Sequence, residues 1–384
     1  MLQVAYGHSC DIDAHEAVEE LVTQCNQSLG DLKPQAGLLL SEIDADHQVL
    51  LDGLSRAYPG LELIGCTTDG EFSSLAEQQE GSNLLILFAS ETVKIRAGLG
   101  RALSKDPEKA TREAVDEATQ NLPSKPKLCL MTPDSLTTSG VAILQGLKKV
   151  LGKNFPILGG SAGDSSEFQR TYQFYKSQVV QDTIPLLLFS GDLVFSHGVA
   201  SGWKPIGKKS IITEAKANQA YRIGEKSALS FYRHYLGPNS VPLGENPLAI
   251  FESSESPHFY LRSPFDFSEE DGSVKFFGDL PLQTTVQLTE TTRGEILNAA
   301  EASARQALAQ YKGNRPSMAF CISCAGRKHL LGSQAKKELT TLQKVFPKEL
   351  PLCGFYAYSE FGPLASHHQS QFHNTTFITL LLGS

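Results

Sequence analysis

Three stretches of this 384-residue chain repeat one order: an apolar run, a polar loop, a helix-like stretch, a second apolar run ending in glycine, and a third apolar run. In the first, Ala36-Gly37-Leu38-Leu39-Leu40 reads as a strand, the residues around 49–54 as a helix, Leu61-Glu62-Leu63-Ile64-Gly65 as the second strand and residues 84–88 as the third. The middle stretch places these pieces at 128–131, 141–151, 156–160 and 185–189, and the last at 318–322, 333–345, 351–354 and 377–381. The repetition extends to side chains. Ile64-Gly65-Cys66-Thr67-Thr68-Asp69-Gly70-Glu71-Phe72 aligns without gaps to Cys353-Gly354-Phe355-Tyr356-Ala357-Tyr358-Ser359-Glu360-Phe361, keeping the glycine and the Glu-Phe pair.

Short, continuous apolar runs are strands covered on both faces, and helices alternating with them supply the cover. The expected fold is α/β, with repeated β-α-β-β units forming mixed sheets covered by helices in two associated domains. The punctuation changes at Tyr221-Arg222-Ile223-Gly224, before a helix ending at Leu236-Gly237, so the boundary is placed at 222 and the domains at 1–222 and 223–384. Beyond it, 248–251 and 274–277 read as strands around an acidic hairpin region, Glu269-Glu270-Asp271-Gly272.

A hydrophobic fraction of 41% is enough for a sizeable core. The net charge of -8 leaves no broad basic surface for a phosphate backbone or an anionic lipid, so nucleic acid and membrane are not expected partners. No apolar run approaches the roughly 20 residues of a membrane helix. The first residues lack the basic-then-apolar order of a signal peptide, which makes the cytoplasm the expected location. Seven scattered cysteines read as reduced thiols rather than as a disulfide framework.

Ile64-Gly65-Cys66-Thr67-Thr68-Asp69-Gly70-Glu71, Leu158-Gly159-Gly160-Ser161-Ala162-Gly163-Asp164 and Gly202-Trp203-Lys204-Pro205-Ile206-Gly207 resemble the N-terminal domain of FIST sensory proteins. Tyr232-Arg233-His234-Tyr235-Leu236-Gly237, Cys324-Ala325-Gly326-Arg327 and the segment from Gly354 through Glu360 to Pro363 resemble the C-terminal domain. The resemblance covers nearly the whole chain. It implies small-ligand sensing in signal transduction by a protein that is not an enzyme. A chain with no appended output module resembles free-standing members that sense nitric oxide through haem and regulate a separate histidine kinase. The alternative is a haem-free sensor of amino acids or another small metabolite. A homo-oligomer is a further association considered.

Gly65, Gly159, Gly160, Gly163 and Gly354 follow strands, where glycine permits positive φ and lets a ligand approach backbone N–H groups. Together with Cys66, Thr67, Thr68, Ser161 and Tyr356 they predict a shared ligand pocket whose donors suit a carboxylate or propionate. Glu71 and Glu360 occupy equivalent positions and are expected to bind a ligand ammonium or loop N–H groups. The run from Gly159 to Gly163 fits G-x-S-x-G. A nucleophile elbow needs a helix directly after the serine, and the polar and aromatic residues that follow do not provide one. A hydrolase using Ser161 or Cys66 is therefore the remote alternative.

Cys321 and Cys324 send their sulfurs to opposite faces of a strand and read as core residues. His234 and His197 are the candidate axial ligands for haem. His367, His368 and His373 lie among polar residues and read as a solvated loop without metal. Trp203 either anchors a turn or stacks on a ligand.

Overall fold

Within the repeated units, residues alternate between two apolar environments, as strands covered on both faces require. Leu38 and Leu40 face a large shared core, while Leu39 between them faces a separate cluster built with helix residues Ala17, Leu21, Leu50 and Leu54. The computed structural model describes residues 1–384 apart from 77–80, 121, 135, 252 and 365–367.

Three mixed sheets contribute to the shared core: Leu38, Ile64 and Ile86 from the first, Leu128, Leu130 and Leu187 from the second, Phe320, Phe355 and Leu380 from the third. Their outer faces each carry helices, with clusters around Leu39, Met131 and Leu381. The result is a three-sided prism with helices outside and one apolar interior.

In the first sheet the order is Gln3–Ser9, Asn83–Ala89, Ala36–Ser41, Glu62–Thr67, Gln173–Tyr175, Gln178–Val180, and only Ala36–Ser41 with Glu62–Thr67 is parallel. The second and third sheets repeat this arrangement around the parallel pairs Pro126–Met131 with Ile157–Gly160 and Met318–Cys324 with Leu352–Ala357. Each sheet takes its next strand from a different unit. Glu71–Ser73 pairs with Leu352–Ala357, Gln173–Tyr175 with Glu62–Thr67, and Glu360–Pro363 with Ile157–Gly160. The exchange closes in a cycle.

The structure bears out the α/β class with mixed sheets and adds to the repeat. Every unit opens with a strand and a helix ahead of the predicted pieces: Gln3–Ser9 with Ala14–Leu29, Val93–Arg101 with Pro107–Thr119, and Val194–Ala200 with Arg293–Gln310. The helix expected at 333–345 is broken. Ala325–Leu331 ends at Gly332 with φ 54°, a one-turn 3-10 segment Gly332–Gln334 follows, and Lys337–Leu342 completes the connection.

Between the opening strand and helix of the third unit lies an antiparallel insertion in the order Phe259–Arg262, Leu248–Phe251, Thr285–Glu290, Lys204–Lys216, Gln219–Ile223, Val274–Phe276, Pro264–Phe267. Its two ends are halves of one bent segment joined at Ser263, which closes it into a barrel. Helix Ala228–Leu236, capped by Ser227, contributes Leu229, Phe231 and Tyr232 to the barrel core. Residue 222 lies inside the strand Gln219–Ile223.

Candidate functional site

The glycines that end the second apolar runs are required by close packing. Contrary to the expectation of positive φ, none of Gly65, Gly159, Gly160, Gly163 and Gly354 is among the positive-φ glycines. A Cβ on Gly65 would lie 1.8 Å from the Leu39 carbonyl oxygen, on Gly159 2.1 Å from that of Met131, and on Gly354 2.2 Å from that of Cys321. In each case the carbonyl belongs to the parallel neighbour strand. The loops that follow hydrogen-bond to one another: Gly163 N donates to Thr67 O at 2.9 Å, Asp69 N to Tyr356 O at 3.0 Å, and Ser161 N to Ser359 O at 2.9 Å. These backbone donors lock the units together, so they are not spare for a ligand carboxylate.

Glu71 and Glu360 are both fully buried; both Glu71 oxygens accept hydrogen bonds, whereas Glu360 is engaged through Oε2 and its Oε1 has no hydrogen-bond partner among the described residues. Glu71 accepts from the hydroxyls of Thr68 and, at 2.6 Å, Ser82; Glu360 accepts from the Thr376 N–H at 2.9 Å and hydroxyl at 2.7 Å. The middle unit carries Gln173 at the same place, the first residue of its exchanged strand, and Gln173 Oε1 accepts from the Thr183 hydroxyl at 3.1 Å. Glu71-Phe72, Gln173-Phe174 and Glu360-Phe361 are thus three copies of one pair, each tied to the start of the long strand that follows. Tyr356 and Cys66 are likewise buried, and burial pushes the Cys66 thiol well above its usual range.

Burial raises the Glu71 carboxyl to about 7 and the Glu360 carboxyl to about 8. A carboxyl whose folded value lies above its unfolded value stabilises the fold fully below the unfolded value and loses that contribution as pH rises through the folded one. Glu71→Gln and Glu360→Gln are therefore expected to flatten the fall in stability between pH ~4.5 and ~8, by up to about 1.4 kcal/mol per pH unit for each group. Urea unfolding of variant and wild type across that range checks this. The buried histidines contribute equally to both proteins and cancel in the difference.

A cavity of about 680 Å³ lies where the prism meets the barrel. The middle unit supplies Asp134, Thr137 and Ser139, the exchanged-strand loops Ser161, Phe168, Tyr358 and Ser359, and the barrel Phe265, Phe277 and Asp279. Asp134 Oδ1 accepts from the N–H groups of Leu136 at 2.7 Å and Thr137 at 3.1 Å, shaping the loop ahead of helix Gly140–Leu151. Across the joint, Ser139 Oγ donates to Asp279 Oδ2 at 2.9 Å and Arg262 Nη1 to Phe372 O at 2.8 Å.

Of the predicted site residues, Ser161 alone lines this cavity. Thr68 lines a second cavity of about 340 Å³ with Glu42, Asp69, Lys328 and His329. Asp134, Ser139, Phe168 and Asp279 lie outside the motifs, and Tyr358 lies within the repeated segment 353–361 without having been singled out.

The two histidines singled out as axial ligands for haem sit in different surroundings. His234 is exposed at the end of its helix, edge-on to Tyr235 at 4.9 Å. His197 is buried in the strand Val194–Ala200, its imidazole held toward the neutral form by burial, and bonds to the Pro363 backbone. Neither lines any of the cavities described. His367 lies outside the described residues. His373, expected in a solvated loop, is instead fully buried in the strand Ser370–His373, with Nε2 2.8 Å from Gly362 O. Among the described residues no cluster of ligating side chains could hold a metal ion. Trp203 is a core anchor, 3% exposed, donating from Nε1 to Glu245 O at 2.9 Å.

A FIST N domain matches residues 8–226 and a FIST C domain residues 228–363. The chain belongs to the FIST family, whose domains are associated with small-ligand sensing in signalling. It is similar to the uncharacterized protein MJ1623 of Methanocaldococcus jannaschii, with 26% identity over 58% of this chain and 45% of that protein. The uncharacterized proteins Mb0898c of Mycobacterium bovis and Rv0628c of Mycobacterium tuberculosis are each 22% identical over 96% of both chains. Among solved structures, a cyanuric acid hydrolase from A. caulinodans aligns over 100% of this chain and 99% of its own at 9% identity and a TM-score of 0.36. Among the described residues, no helix is long and apolar enough to cross a membrane.

Proposed function

We propose that this protein is a haem-free cytoplasmic sensor that binds a small metabolite in the 680 Å³ cavity between prism and barrel. The observation that carries this reading is the position of the cavity. Its walls belong to two bodies that meet through side-chain bonds such as Ser139 to Asp279 and through a small apolar cluster of Trp203, Ala249, Phe251 and Leu261 with Ile296, Leu331 and Ala335. A ligand that fits one relative placement better than another therefore shifts the population between them. A separate signalling protein, with a histidine kinase as the candidate, reads that shift.

Binding is favoured over acyl transfer by the partner of Ser161. Its Oγ meets the Ser359 Oγ at 2.7 Å, a hydroxyl where a nucleophile would need a base. No helix directly follows Ser161; the next regular element is the strand Gln173–Tyr175.

A panel of amino acids, amines and other small metabolites is expected to contain a compound that raises the unfolding midpoint. Saturation at about 100 times Kd corresponds to roughly 2.7 kcal/mol. Thr137→Trp, at an exposed position on the cavity wall, is expected to abolish that shift while leaving the unliganded midpoint within about 0.5 kcal/mol. A hit that stabilises the tryptophan variant equally would place binding elsewhere. Appearance of a stoichiometric Soret band on expression with haem precursor would overturn the haem-free reading.

A further inference from the structure

Phe168 sits at the joint between prism and barrel, beside Phe265, which is 41% exposed and packs on the Phe277 ring at 4.6 Å. The Phe168 ring stacks on Tyr358 of the prism (4.4 Å between centroids, 16° between planes) and on the same Phe277 of the barrel (5.6 Å, 22°), bridging the two across the cavity. Yet it is 48% exposed and belongs to none of the core clusters. Its backbone is left-handed at φ 54°, after Ser165 at 58° and Ser166 at 66°, a conformation that costs non-glycine residues on the order of 1 kcal/mol each. The strained loop is held by carboxylates. Asp164 accepts from the N–H groups of Phe168, Gln169 and Arg170 at 2.9, 2.7 and 2.9 Å, and Asp69 from that of Ser166 at 3.0 Å.

A chain gains little core packing from such a residue, whereas an aromatic slot between two bodies gains a ring. The charge around the slot narrows what else could fill it. The described lining carries Asp134 and Asp279 and no lysine or arginine. Aromatic faces beside carboxylates attract cations and repel acids. Asp134 already accepts from its own loop, whereas Asp279 accepts one hydroxyl, from Ser139, and has Arg262 close by.

Building on the cavity reading above, we propose that Phe168 is a built-in stand-in for the ligand's ring, and that the ligand is a small aromatic amine. Its ring replaces Phe168 against Tyr358 and Phe277, and its ammonium lies on the carboxylate side of the cavity. Filling by Phe168 holds prism and barrel in one placement; its eviction releases the loop 164–170.

Calorimetric titration of the full chain with tyramine and tryptamine tests this, with 2-cyclohexylethylamine as a non-planar amine and 4-hydroxyphenylacetate as a planar acid. Because the internal ring competes for the slot, Phe168→Ala is expected to bind tyramine about tenfold tighter than wild type, the factor that stacking contacts of ordinary strength correspond to. Phe168→Leu, which keeps bulk without a flat ring, is expected to do the same. The cyclohexyl amine is expected to bind at least tenfold more weakly, and the acid not at all. Weaker or unchanged binding in both Phe168 variants, equal binding of the cyclohexyl amine, or no arylethylamine binding to any of the proteins would overturn the proposal. If another metabolite still stabilises wild type and fails on Thr137→Trp, the cavity reading survives that failure; if no small molecule binds, both fall.

Discussion

Gly65→Ala is expected to abolish stable folding of the prism. The new methyl would lie 1.8 Å from the Leu39 carbonyl oxygen, 2.8 Å from its carbon and 3.0 Å from the Phe174 ring. Neither neighbour can retreat, because Leu39 is held in register between Gly65 and Leu85, and Phe174 pairs with Gly65 on the other side. Overpacking a rigid site of this kind costs about 3 kcal/mol or more. Gly159→Ala and Gly354→Ala face the same obstruction from Met131 and Cys321, whereas Gly163→Ala meets nothing nearer than 3.1 Å and is expected to cost far less. Urea unfolding followed by circular dichroism ranks the four. A folded Gly65→Ala protein with a wild-type midpoint would return these glycines to a ligand-access role.

The second large effect concerns Arg327 and Glu338, both with fully buried side chains. Arg327 Nη2 donates to Glu338 Oε1 at 2.6 Å and to Ile296 O at 2.9 Å, Nη1 to Ser201 O at 2.6 Å, and Nε to Glu338 Oε1 at 3.2 Å. One guanidinium thereby ties the short helices of the third unit to the entry and exit of the barrel. Glu338→Leu leaves that charge buried without its counter-ion and is expected to cost about 3–5 kcal/mol. Arg327→Met should cost a similar amount. The double variant Arg327→Met/Glu338→Leu is expected to recover most of the loss, since replacing a buried pair together removes both desolvation penalties. A double-mutant cycle by chemical denaturation measures the coupling; additive losses would mean that the pair does not act as one unit.

The inner strands were legible because continuous apolar runs such as Leu38-Leu39-Leu40 and Leu186-Leu187-Leu188 carry their two-sided burial in composition. The opening strands were not. Val93–Arg101 alternates Lys94 and Arg96 with buried residues, and its helix Pro107–Thr119 packs through Ala110, Ala114 and Ala118, side chains too small to mark an apolar stripe. Gln173-Phe174 escaped comparison with Glu71-Phe72 because a longer loop separates it from Gly159 and because its carboxylate is an amide. Apart from Ser161 and the repeated segment that holds Tyr358, the cavity had no linear signature. Asp134, Phe168, Asp279 and Tyr358 come from distant segments, and only the docking of barrel on prism brings them together. For His234 and His197 the residue type was visible and the direction of the imidazole was not.

The cyclic exchange of strands sets a timetable for synthesis. As the polypeptide leaves the ribosome, the first layer stays unfinished until Gln173–Tyr175 has emerged, and the second until Glu360–Pro363 has. The third needs Phe377–Gly383, while Glu71–Ser73, made long before, has no docking place until Leu352–Ala357 exists. A nascent chain of this protein therefore carries open sheet edges and unburied leucines through almost its entire translation, a state prone to aggregation and suited to capture by chaperones.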